Sequence, residues 1–361
     1  MMKIKMLALA ISGALSSVTV VWAGNTVTGV STGNLNAMTA EQASGDFNSI
    51  AITQVSDSNK GSVSQTGDNN TASIFQDGLS GLNTASIIQN GLRNNATINE
   101  EGSNNIASIT QIGNDNIAII HQTASYVKAG IRQIGDSNYV DIEQLDNADP
   151  QVTQSGSGNA VFINNTGYFP NYQTVVQTTD TNVATIDQAS GINNAVNVVQ
   201  SGTIDNTKIT QKGSFNSSTI NQGGVAPNNA LVSQTGASNI TTINQNIEDT
   251  NGDNLANVTQ AGNGNGASID QTNGNTNIAL VTQTGTSADT FVAQSGSYNT
   301  STIEQGGNVM DSVSANQFGD GNTATINQNI TDTNATINDA FVLQNGNDNV
   351  VNITQQLLRF L

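Results

Sequence analysis

The chain contains no cysteine among 361 residues, so neither disulfides nor thiolate zinc centres can hold its fold. It has one histidine, His121, which leaves an acid–base or nucleophilic site without a second candidate base. Cations are scarce as well: nine Lys and Arg stand against 27 Asp and Glu, a formal charge of −18. That balance argues against nucleic-acid binding, which calls for basic patches. Charged residues make up only 10% and aromatics 4%. Composition alone would suggest a disordered or prion-like tract, but the order of the residues says otherwise.

Apolar residues form one long run, and it lies at the start. Lys3 and Lys5 precede an apolar stretch from Met6 through Val21, and Val21-Trp22-Ala23 offers a small-residue cleavage pattern. Residues 1–23 therefore read as an export signal cut after Ala23. No later segment approaches the roughly 20 apolar residues of a spanning helix, so no membrane span is expected.

What fills the rest is one repeat. The template N-x-ψ-x-ψ-x-Q, with ψ small or apolar, fits with both amides intact at 21 places from Asn36…Gln42 to Asn349…Gln355. Seven worn copies, including Asn94…Glu100, Val127…Gln133 and Asn159…Asn165, bring the total to 28 units over residues 36–355. Four residues after the Asn, 20 of the 21 intact units carry Ile or Val. Two residues after it Ala is commonest, as at Ala72, Ala118 and Ala324. Alternation of period two, rich in Ile, Val and Thr, marks β-strands. Asn, the two ψ residues and Gln thus share one face, and no helix is expected beyond the signal.

After fourteen strands comes a turn of the type Q-x-G-x-x-N, and the next Gln position then follows 11 residues on. The other intervals vary from 10 to 16. One edge therefore has a turn of fixed length and the other tolerates loops. Glycine suits the fixed turn because it takes positive φ without a Cβ penalty. A meander of hairpins could use the same units, but it needs no equivalent residues every second strand, whereas a β-solenoid does. Stacked coils bring Asn over Asn and Gln over Gln at about 4.8 Å. Each amide carries donors and an acceptor, so a column of them can satisfy itself along the axis. About fourteen two-strand coils are expected, rising about 65 Å at about 4.8 Å each. Tight turns occur twice running at Gln200 and Gln211 and again at Gln283 and Gln294, which suggests blocks of roughly 36–205, 206–288 and 289–355 with the tight turns changing edge.

The best-formed units name the candidate ladder and turn residues. They are Gln65, Gly67, Asn70 and Gln76; Gln111, Gly113, Asn116 and Gln122; and Gln133, Gly135, Asn138 and Gln144. Further along come Gln211, Gly213, Asn216 and Gln222; Gln234, Gly236, Asn239 and Gln245; and Gln260, Gly262, Asn265 and Gln271. The last are Gln294, Gly296, Asn299 and Gln305; Gln317, Gly319, Asn322 and Gln328; and Gln344, Gly346, Asn349 and Gln355.

With these residues in view, QTGDNNTASIFQ (65–76) and QFGDGNTATINQ (317–328) resemble the curlin repeat of curli fibre subunits. The resemblance implies that the Asn and Gln positions form the ladders of an amyloid core. It implies export from a Gram-negative cell and assembly into extracellular fibres of the biofilm matrix. The partners it implies are other copies of the chain, a partner subunit or nucleator, a secretion channel and a periplasmic chaperone. Residues 24–35 (GNTVTGVSTGNL) occupy the place of a secretion-targeting segment, ahead of a repeat region at 36–355 and a tail at 356–361. No cofactor, metal or catalytic residue is expected. A monomeric β-solenoid binding ice or carbohydrate is the alternative, and it would want an outward rank of one residue type, such as Thr.

Overall fold

The computed structural model describes residues 4–6, 16–22, 24–78, 80–145, 147–167, 170–225, 227–247, 253–307, 311–330 and 338–356. Every regular element among them is a β-strand, as the period-two alternation requires. The chain divides into two compact units, residues 1–180 and 181–361. Each unit is a β-solenoid of two facing parallel sheets, with successive strands falling in alternate sheets.

In the first unit one sheet runs from Asn25–Ser31 to Ala160–Asn165 and the other from Ala37–Ser44 to Asn171–Gln177. In the second, one runs from Val183–Ala189 to Val350–Gln356 and the other from Ala195–Gln200 to Asp339–Asn345. Equivalent template positions stack. Ala107 pairs with Ala129, Ile109 with Ile131 and Gln111 with Gln133; Ala256 pairs with Ala279, Val258 with Val281 and Gln260 with Gln283. Parallel ladders with this register exclude the meander.

The parallel stack starts ahead of the boundary expected at residue 36. Asn25–Ser31 lies in register on Ser49–Gln54, with Val27 beside Ile50 and Ser31 beside Gln54. Gly29 and Ser31 stand where the template has Ile and Gln, which hides this strand from a template search. Its other edge carries Ser16–Trp22 in antiparallel register, and Ile4–Met6 lies antiparallel on Ala37–Ser44. The cleavage position at Ala23 and residues 357–361 of the tail lie outside the described residues.

The core is narrow and built by stacking. Ile74, Ile98, Ile120 and Ile142 are buried, as are Ala72, Ala96 and Ala118. Burying such an Ile contributes roughly 1.5–3 kcal/mol. In the second unit the tight-turn glycines form two columns. Gly191, Gly213, Gly236, Gly262 and Gly285 stack at one edge, and Gly274, Gly296, Gly319 and Gly346 at the other.

Candidate functional site: amide ladders and strand edges

Gln and Asn do different work in the core. The Gln111 Nε2 donates to Gln133 Oε1 at 2.9 Å and, across the core, to the Asn95 carbonyl at 3.0 Å. A Gln therefore ties its coil to the next and its sheet to the facing one. The same donor-to-acceptor direction runs from Gln42 through Gln65, Gln89, Gln111, Gln133 and Gln154 to Gln177. In the second unit it runs from Gln200 through Gln222, Gln245, Gln271, Gln294 and Gln317 to Gln344. The facing sheet carries the column Gln188, Gln211, Gln234, Gln260, Gln283, Gln305, Gln328 and Gln355.

Asn closes the turn. The backbone N–H of Asn116 donates to Asn94 Oδ1 at 3.1 Å, and the Asn116 amide donates to the same oxygen at 3.0 Å and to the Gly135 carbonyl at 2.7 Å. Gly113 has φ +123, and a Cβ there would stand 2.1 Å from the Gly135 carbonyl oxygen. The turn needs glycine for its backbone and again for the close approach of the coil above. All nine candidate turn glycines have positive φ. Every candidate ladder residue is buried except Asn349 and Gln355, which are half-buried at the C-terminal edge.

Three acids sit in ladder positions. Glu100 takes a Gln position: its Oε2 accepts from Gln76 at 2.7 Å. Its Oε1 and the Gln122 Oε1 are both buried without a hydrogen-bond partner. Burial pushes the carboxyl up to about 8, although the Gln76 bond pulls the other way. A neutral Glu100 can donate where an ionised one cannot, so the proton supplies the missing ladder bond to Gln122. Asp205 takes an Asn position and accepts from the Asn228 amide, the Asn228 backbone N–H and the Gly202 backbone N–H. Burial raises it to about 6 against those bonds. Asp311, also in an Asn position, is raised by burial in the same sense.

Buried hydroxyls form part of the ladders, and the template misses them because Ala dominates their position. Thr207 donates to Gln222 Oε1 at 2.7 Å and accepts from Gln200 Nε2 at 3.4 Å. Ser218 does the same between Gln211 and Gln234, Thr241 between Gln234 and Gln260, and Ser301 between Gln294 and Gln317. Each bridges a Gln column of the opposite sheet. A Ser or Thr two residues after the template Asn or Asp is the signal that would have found them.

The acidic turns have an internal task. Asp68, Asp136, Asp180 and Asp320 each accept a backbone N–H from the turn one coil earlier. Among the described residues no cluster of three His, Asp or Glu could hold a metal ion. His121 lies at the surface, its Nε2 3.3 Å from Glu101 Oε1.

These features define a class: a parallel β-solenoid that buries side-chain amides as hydrogen-bonded ladders, a structural rather than catalytic architecture. The curlin-associated repeat matches residues 45–78, 83–113 and 253–285, so the chain carries curlin-associated repeats. Comparison with curated proteins gives no match. Among the described residues, no helix is long and apolar enough to cross a membrane.

Proposed function

We propose that the chain is the structural subunit of a curli-like extracellular fibre, adding end to end through its terminal strands. The C-terminal edge carries this reading. Among the described residues, Val350–Gln356 pairs with Thr323–Ile330 alone and Asp339–Asn345 with Ser312–Phe318 alone. Asn349, Val351, Ile353 and Gln355 are half-buried there, whereas Asn322, Ala324, Ile326 and Gln328 one coil earlier are buried. An open strand edge with matched ladder positions is a template for another chain. On this reading the partners are further copies, a nucleating subunit, an outer-membrane secretion channel and a periplasmic chaperone. The setting is the surface of a Gram-negative cell, in an adhesive biofilm matrix.

The alternative binding module has less support. One outward column of the second unit reads Thr185, Lys208, Leu231, Asn257, Leu280, Thr302 and Thr325, which is no rank of a single type. The test uses residues 24–361, purified and concentrated. Fibres with a reflection at about 4.7–4.8 Å and thioflavin binding are expected. A protein that stays monomeric and dye-negative overturns the proposal.

A further inference from the structure

The first parallel strand is a poor match for the coil it covers. Asn25 keeps its role, because its Oδ1 accepts the Asn48 backbone N–H at 2.7 Å. Gly29 lies beside Ile52, with Met38 filling the space: a Cβ at Gly29 would meet the Met38 sulfur and methyl at 3.5 Å. Ser31 lies beside Gln54 and accepts from Asn36 instead, at 3.2 Å. As a result Gln54 Oε1 is buried with no donor, although its Nε2 continues the ladder to Gln76 at 2.9 Å.

The missing donor exists at the C-terminal edge of the second unit. Gln355 is the last of its column, and its Nε2 makes a 3.4 Å bond to the Asp339 carbonyl. Among the described residues the Gln ladders run with Nε2 donating toward the later coil, so the C-terminal edge offers a donor and Gln54 an acceptor. The apolar positions agree: Ile353 suits Ile52 better than Gly29 does, and Val351 offers Ile50 the same side chain as Val27.

We propose that Asn25–Ser31 is a placeholder strand, displaced from Ser49–Gln54 by Val350–Gln356 of a second copy once residues 1–23 are gone. This rests on the fibre reading above. The exchange sets Gln355 Nε2 on Gln54 Oε1 and lets Asn349 Oδ1 accept the Asn48 backbone N–H. It places Asp339–Asn345 along Ala37–Ser44, with Gln344 directed at Gln42. Each ladder then crosses the joint in its own direction, and residues 24–35, which occupy the place of the targeting segment that the curlin resemblance implies, are released as a tail. In the full chain Ser16–Trp22 and Ile4–Met6 cover both N-terminal strands, so a chain that keeps its leader is capped against this exchange.

A disulfide tests the joint, because the native chain has no cysteine. In the proposed register Thr354 of one copy lies beside Thr53 of the next, at the strand spacing of about 4.8 Å, within disulfide reach. Fibres of residues 24–361 carrying Thr53→Cys and Thr354→Cys, oxidised after assembly and dissolved without reductant, are expected to give covalently joined multimers. Fibres that dissolve to monomers overturn the exchange and leave the fibre reading standing; wild-type chain that forms no fibres overturns the fibre reading itself. Ser31→Gln supplies the placeholder with the donor it lacks. Seeded elongation is then expected to slow about fivefold, the factor for one net hydrogen bond of about 1 kcal/mol. Faster elongation would mean that new copies stack on Asn25–Ser31, contrary to the proposal.

Discussion

Asn116 and Gly135 lie in adjacent coils of the first unit, and the Asn116 side-chain amide donates to the Gly135 carbonyl at 2.7 Å. The bond joins the strand leaving one tight turn to the glycine of the turn stacked on it. It recurs between Asn70 and Gly91, Asn94 and Gly113, Asn299 and Gly319, and Asn322 and Gly346. The repeat spacing Q-x-G-x-x-N therefore has a cause: Gly and Asn are halves of one contact made between coils.

Asn116→Ala removes the acceptor for the Asn138 backbone N–H as well as the donor to Gly135. Two buried polar groups lose partners, and a loss of roughly 2–4 kcal/mol is expected. Hydrogen exchange should accelerate around residues 113–138, with the coil at Ser49–Gln54 unaffected. Asn114→Ala, at a half-buried turn residue that accepts from the Leu92 backbone N–H, should cost about 1 kcal/mol or less. Equal costs for the two would refute the division between core and turn amides.

Glu100 makes the first unit sensitive to pH. Its folded value of about 8 lies above its ordinary 4.5, so the native state holds the proton more tightly than the unfolded chain. That contribution is fully present below about pH 4.5 and is lost as pH rises through about 8. Glu100→Gln keeps the ladder at every pH. Urea midpoints measured at pH 7 and pH 8.5, above the Asp205 titration at about 6, should fall for wild type and stay nearly level for the variant. At the higher pH the variant should be the more stable by a few kcal/mol. Parallel slopes for the two proteins would place the titration elsewhere.

The hydroxyl bridges of the second unit should be cheap to remove singly. After Ser218→Ala, Gln234 Oε1 still receives the Gln211 amide at 2.7 Å, and Ala suits that column. A loss of at most about 1 kcal/mol is expected. Gln234→Ala takes away the acceptor for Gln211 and the donor to Gln260 and opens a cavity, so a loss of roughly 3 kcal/mol or more is expected. Denaturant midpoints on both variants check the ranking.

Much of this was legible from order alone, because a solenoid repeats its physics with its sequence. Asn116, Ala118, Ile120 and Gln122 could be put on one buried face by period two, and the glycine of QIGND by its fixed spacing. What escaped depended on neighbours one coil away. Nothing in NATINE (95–100) shows that Glu100 faces the Gln76 donor on one side and the Gln122 acceptor on the other, since both come beside it only by stacking. Asn25–Ser31 escaped because Gly29 and Ser31 carry neither template side chain, although the backbone register survives. Thr207 and Ser218 fit the template as small residues; their bonds to Gln columns of the facing sheet depend on the width of the core.

The residue before the template Asn adopts positive φ at many turns, often an Asn, Asp or Ser, as at Asn69, Asn104, Asp115 and Ser137, but also a large side chain, as at Phe47, Phe215 and Tyr298. At Ile204 the same position holds a β-branched side chain with φ 63. An L-residue in this region carries a steric cost of roughly 1–2 kcal/mol, which Asn tolerates best. Ile204 is 57% exposed, so little burial is lost when it is replaced. Ile204→Asn is therefore expected to raise stability by about 1 kcal/mol, against the usual direction of substitutions in a repeat protein. A higher urea midpoint with an unchanged slope would establish this. A lower midpoint would mean that the Ile204 side chain contributes more by contact than its backbone loses by strain.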